Sequence, residues 1–259
     1  MVLLRIALFL LVAAASSHCA REVVPPAPVT SPATNPTQRG SVISTFDDAA
    51  DLNILFVGNS LTYENDLPSI VAEIATMDGV RLGYTSLTAG NYSLDDHWAD
   101  GTIQAALAKD KYDILIAQQG PSALPESQVL LRESSVRIAN ECRAHDTMFG
   151  LYMVWPALAR DFDRDNSIAS YTNAADAAGG LLCPAGLAWK LAWQTDRSIP
   201  FYGPDNFHPS FQGSFMAAMV IYAAIKNKKD LDFVSKPAGI PDAHFSIMKR
   251  AAIDALVTK

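Results

Sequence analysis

From residue 53 onward, short β-rich runs, several of them apolar at their centres, alternate with helix-length segments, and this alternation limits the fold more than any other feature of the sequence. The pairs are Asn53–Gly58 with Leu67–Met77, Arg81–Thr88 with Thr102–Lys109, and Tyr112–Gln118 with Pro125–Ala144. They continue as Met148–Val154 with Asn166–Ala178 and Gly180–Pro184 with Gly186–Gln194, and close on a long run, Phe211–Lys226. A strand that is apolar throughout must be covered on both faces, and a helix after each strand returns the chain for a parallel neighbour. The expected fold is therefore α/β: a three-layer α/β/α sandwich with a mostly parallel, doubly wound sheet. The last stretch, Asp242–Val257, carries Phe245, Met248, Ala252 and Leu256 at helical spacing and should pack back on the domain.

The alternation does not reach the N-terminus. Residues 1–20, MVLLRIALFLLVAAASSHCA, hold an early Arg5, an apolar run and then small residues, the pattern of a signal peptide, with an apolar run too short to span a bilayer. A secreted or periplasmic protein is expected. Lipidation of Cys19 is the route by which such a chain would be anchored, although His18 stands where a small residue usually precedes a lipidated cysteine; without it no stable membrane insertion is expected. Residues 21–49 begin with a proline-rich, aperiodic stretch that reads as a linker, which leaves residues 50–259 as the folded domain. After removal of the first twenty residues, Cys142 and Cys183 remain, as one disulfide or as two buried thiols. A net charge of −7 gives no basic footprint for a phosphate backbone, so nucleic acid is not an expected partner.

In an open parallel sheet, ligands collect at the carboxyl ends of the strands. The first apolar strand ends there in Gly58-Asn59-Ser60-Leu61-Thr62. Alone, such a serine is a turn residue or helix cap. Far downstream lies Tyr202-Gly203-Pro204-Asp205-Asn206-Phe207-His208-Pro209-Ser210. An aspartate three residues before a histidine can hold the Nδ1–H of the imidazole and leave Nε2 outward as a general base. A candidate nucleophile, Ser60, together with a candidate base and its orienting acid, His208 and Asp205, points to a hydrolase.

The two outer motifs resemble those of the SGNH hydrolases, also called GDSL esterases, and the chain looks like a secreted bacterial member from Ile54 to about Lys226. The resemblance implies a doubly wound α/β/α fold and ester hydrolysis through Ser60, His208 and Asp205. It also implies an oxyanion hole from the N–H of Ser60 and of Gly90, the latter within Thr88-Ala89-Gly90-Asn91-Tyr92-Ser93. The family's third donor, an asparagine after the third strand, is absent here, where Gln118-Gln119-Gly120-Pro121-Ser122 stands; either glutamine can present an equivalent amide or only tie down the loop, and Gln119 is the preferred candidate for the donor. Asn59 stands where aspartate is commoner, which does not touch the triad.

Asn59, Asn91, His97 and Trp155 are further candidates for the substrate cleft. Asp95-Asp96-His97-Trp98 is not expected to bind a metal, because adjacent residues cannot all face one ion. The Trp189/Trp193 pair reads as a packed helix face. The expected function is that of a secreted serine esterase acting on short acyl esters, such as acetyl groups on small-molecule or glycan alcohols, without cofactor or metal. A non-catalytic carbohydrate binder on the same scaffold is the alternative. A flavodoxin-like nucleotide binder is disfavoured, since no glycine-rich phosphate loop follows the first strand.

Overall fold

The computed structural model describes residues 41–258. The expected signal peptide, Cys19 and most of the expected linker lie outside the described residues. The strands are β1 (Ser41–Ser44), β2 (Leu52–Gly58), β3 (Leu82–Thr88), β4 (Ile114–Ala117), β5 (Met148–Tyr152) and β6 (Leu181–Cys183). The helices are α1 (Ser60–Tyr63), α2 (Leu67–Met77), α3 (Leu94–Ala99), α4 (Thr102–Lys109), α5 (Pro125–Ala144), α6 (Arg164–Ala178), α7 (Ala185–Thr195), α8 (Phe211–Ile225) and α9 (Asp242–Val257).

The strands form one six-stranded sheet in the order β1-β3-β2-β4-β5-β6, parallel except for β1. All seven residues of β2 are buried, as its apolar run from Ile54 to Val57 requires at the centre of a sheet covered on both sides. One group of helices, α2, α7, α8 and α9, packs together, and α3 to α6 form the other. The result is the expected three-layer α/β/α sandwich. Helix α8 is buried along nearly its whole length, consistent with a sequence that is apolar all round.

The boundary expected at residue 50 lies too late. Ser41–Ser44 pairs antiparallel with β3, Ser41 opposite Thr88 and Ser44 opposite Thr85. All four of its residues are exposed, so this edge strand leaves no buried face to read in the sequence. Of the two cysteine readings, the structure has the free thiols: Cys142 and Cys183 are both buried and unbridged, and burial pushes each up to about 12. No helix among the described residues is long and apolar enough to cross a membrane.

The chain leaves β2 for β3 on one side and reaches β4 on the other, so the strand order reverses about β2. The carboxyl end of β2 is therefore the point where flanking loops diverge and open a crevice. Ser60 follows β2 directly.

Candidate active site

Ser60 is the first residue of α1, and its turn is held from three directions. Asn59 caps the helix, its Oδ1 accepting the Leu61 N–H at 3.1 Å. Gln118, at the end of β4, accepts the Asn59 N–H and the Thr62 hydroxyl on Oε1 (3.0 and 2.7 Å) and donates from Nε2 to Asn59 Oδ1 (3.0 Å). The Gly58 carbonyl accepts from the Ala89 N–H (3.1 Å) and from His97 Nε2 (2.8 Å). Glycine is required at 58, because a Cβ there would stand 2.4 Å from Thr62 Oγ1 and 2.5 Å from Gln118 Oε1. Asn59 Nδ2 also donates to Tyr92 O at 3.0 Å, which ties the loop after β3 to the serine turn. The N–H groups of Ser60 and Gly90 have no acceptor among the described residues. They are free donors on two adjoining loops.

The aspartate–histidine motif forms a tight loop. A bridge between Tyr202 and Pro209 closes its base, and the Gly203 N–H donates to His208 O at 2.8 Å. Asp205 Oδ1 accepts the N–H groups of Phe207 and His208, both at 3.0 Å, while Oδ2 accepts His208 Nδ1–H at 2.5 Å. The histidine hydrogen bond, followed by the Phe207 N–H, lowers the Asp205 carboxyl to about 2. The carboxylate therefore fixes the proton on Nδ1 and leaves Nε2 as an acceptor.

This loop is docked on its neighbours through main-chain carbonyls. Trp155 Nε1 donates to Phe207 O (3.2 Å), the Leu158 N–H to Asn206 O (2.8 Å), and Asn65 Nδ2 to Pro209 O (3.0 Å). The Tyr202 hydroxyl donates to Pro156 O (2.5 Å) and accepts from the buried Arg164 (3.2 Å). Ser60 lines a cleft of about 490 Å³ with Asn59, Asn91, Gln119, Leu130 and Phe207, the last being the neighbour of His208. No hydrogen bond joins Ser60 Oγ to His208 Nε2 among the described residues. Such contacts often tighten only around bound substrate.

The two glutamines separate clearly. Both are buried, but Gln118 spends its amide on Asn59, Thr62 and the Gln119 carbonyl (2.5 Å). Gln119 lines the cleft. Its Oε1 accepts the Leu94 N–H (3.3 Å) and its Nε2 donates to Ser122 Oγ (2.9 Å), which leaves one amide hydrogen unused. Tyr171 pins its main chain, donating to Gln119 O at 2.6 Å.

Three expectations need correction. Gln118 is a clamp on the serine turn rather than a free donor. His97 does not line the cleft: it is 3% exposed beneath Gly58, and burial lowers its imidazole below the ordinary value. Trp155 is fully buried, stacked on Trp189 with ring centroids 3.3 Å apart, and supports the histidine loop from behind. Asp95, Asp96 and His97 diverge, the first pairing with Arg137 and the second closing a capping box with Ser93. Asn65, Tyr171 and Arg164 carry no motif, and only the fold reveals their contacts.

No protein-family model matches the chain, and no curated protein matches it. Solved structures do. A DUF4886 family protein from Bacteroides uniformis superposes with a TM-score of 0.66 at 20% identity, over 80% of this chain and 95% of that one. A putative SGNH hydrolase from Slackia heliotrinireducens gives 0.58 at 24% identity, over 67% and 98%. The chain has the SGNH hydrolase fold. A catalytic mutant of an acetylxylan esterase from Geobacillus stearothermophilus superposes with a TM-score of 0.53 at 13% identity, over 73% and 98%. In this chain the loop after the first parallel strand carries Ser60, and the loop before α8 carries His208.

Proposed function

We propose that the protein is an exported serine esterase in which Ser60, His208 and Asp205 form the catalytic triad. The observation that carries this reading is the Asp205–His208 pair at 2.5 Å, on a loop bonded to the same walls that enclose Ser60. His208 Nε2 takes the hydroxyl proton as Ser60 Oγ attacks the ester carbonyl. The carbonyl oxygen becomes an oxyanion, held by the N–H groups of Ser60 and Gly90 and by the spare Gln119 Nε2 hydrogen. Collapse of the tetrahedral intermediate expels the alcohol oxygen, which receives the proton from His208. Water, deprotonated by the same imidazole, then attacks the acyl group and releases the acid and the free serine. Side chains, main-chain donors and water supply every step.

The acetylxylan esterase among the similar structures supports acetyl or other short acyl esters on carbohydrate alcohols as the substrate class. Export rests on the composition of residues 1–20. The test is turnover of p-nitrophenyl acetate and of acetylated oligosaccharides by the mature domain, abolished in Ser60→Ala and in His208→Ala. Folded protein that turns over neither substrate contradicts the reading and leaves a binding role on the same scaffold.

A further inference from the structure

Between α1 and α2 the chain makes a joint that its side chains do not favour. Asn65 (φ 55°, ψ 18°) and Asp66 (φ 53°, ψ 54°) are consecutive non-glycine residues in the left-handed region. That region crowds Cβ against the carbonyl, and asparagine and aspartate tolerate it as single residues rather than in succession. A backbone of this kind persists only where its surroundings hold it. Here the hold comes from the other end of the sequence. Asn65 Nδ2 donates to Pro209 O and to Ser214 Oγ, both at 3.0 Å, and Ser214 Oγ donates to Glu64 O at 3.5 Å. A carbonyl can only accept, so the amide nitrogen is the atom facing Pro209, and both of its hydrogens are used.

The two ends of this tie have functional neighbours. Asn65 lies two residues beyond α1, the short helix that begins at Ser60, and Pro209 follows His208 directly. No direct hydrogen bond sets the gap between Ser60 Oγ and His208 Nε2, so it is fixed by what joins their supports. Trp155 and Leu158 fasten the histidine loop to the cleft wall, and Asn65 fastens it to the segment that carries the serine.

We infer that Asn65 is a positioning residue, which accepts a strained backbone in order to fasten the His208 loop to the segment that carries Ser60, so that the two can meet around bound substrate. The inference rests on the esterase reading above. Proton transfer needs about 2.6–3.2 Å between heavy atoms, and a misplacement near 1 Å can lower the rate on the order of 10²-fold. Losing the tie should therefore slow the chemical step while leaving the substrate's contacts with the cleft in place.

The decisive variant is Asn65→Gly, because glycine keeps the left-handed backbone without strain and removes only the amide. With p-nitrophenyl acetate, kcat should fall roughly 10- to 10²-fold while KM stays within about twofold. Hydrogen exchange at the Gly203, Phe207 and His208 amides should accelerate at least about tenfold, with the thermal midpoint of the whole domain little changed. Ser214→Ala, which removes one of the two acceptors, should show the same pattern more weakly. A wild-type kcat in Asn65→Gly, or unchanged exchange at those three amides, overturns the inference, as does a fall in thermal midpoint with full activity per folded molecule. If the unmodified protein hydrolyses no ester, the esterase reading fails instead, and the exchange rates alone still decide whether Asn65 holds the loop.

Discussion

Gln118 grips Asn59 with both ends of its amide, accepting the main-chain N–H on Oε1 and donating from Nε2 to the side-chain Oδ1, each at 3.0 Å. The residue before Ser60 is thereby fixed in the conformation that caps α1. The clamp is buried, so its loss is structural first. Gln118→Met, which keeps the volume and removes the hydrogen bonds, should destabilise the domain by about 1–3 kcal/mol for each buried partner left unsatisfied. Urea unfolding measures this, and the activity of the variant should fall along with its stability.

Gln119 should behave differently. Gln119→Ala removes the spare amide donor proposed for the oxyanion and is expected to lower kcat on the order of 10²–10³-fold. The accompanying loss of the buried Leu94 and Ser122 contacts should cost about 1–3 kcal/mol for each partner left unsatisfied, so the fall in kcat is read per folded molecule. Parallel urea titrations and steady-state kinetics of the two glutamine variants separate clamp from donor.

Asp205 gives a pH signature in stability. Its carboxyl ionises at about 2 in the folded protein against an ordinary 3.8, chiefly through the His208 hydrogen bond. Because the folded value is the lower, the contribution is complete above pH 3.8 and is lost as pH falls through about 2. The difference in thermal midpoint between the native protein and Asp205→Asn should therefore shrink over that window. The side chain is half exposed, so the difference should be small and weakened by salt. The kinetic effect should be large, with Asp205→Asn lowering kcat on the order of 10³–10⁴-fold through loss of the imidazole's orientation.

His97 titrates at the opposite margin. Burial lowers it from its ordinary 6.5, opposed by its hydrogen bond to the Gly58 carbonyl. The unfolded chain takes up the proton first, so the neutral imidazole stabilises the fold above pH 6.5, and this stability is lost as pH falls toward the lower folded value. His97→Gln retains a donor for Gly58 and cannot titrate. Its thermal midpoint should decline less than that of the native protein between about pH 7 and pH 5, a difference that calorimetry at stepped pH resolves.

The layers of this fold were legible because their signals are local. The limits of α2, α4, α5 and α9 follow from helical spacing and, for α2 and α5, from prolines in the first turn, and β2 from an apolar run ended by glycine. The strand at 41–44 is hidden in the sequence because an exposed edge strand buries neither face. In the site, Asp205 and His208 were readable as a pair because their contact spans three residues. His97 and Trp155 turn into the core and not the cleft, and sequence near a strand end does not say which way a side chain points. The partners that set geometry act over long separations: Asn65 reaches Pro209 across 144 residues, and Tyr171 reaches Gln119 across 52. Contacts of that span follow from the packing of the layers and leave no mark on either local segment.

On the proposed mechanism, Ser60 is a nucleophile activated by the His208–Asp205 pair. Reaction of the folded mature domain with a fluorophosphonate, followed by peptide mass mapping, tests it most directly. A single adduct on Ser60, absent from His208→Ala, is the expected result. A folded protein whose Ser60 stays unmodified under conditions in which it hydrolyses p-nitrophenyl acetate would contradict the account.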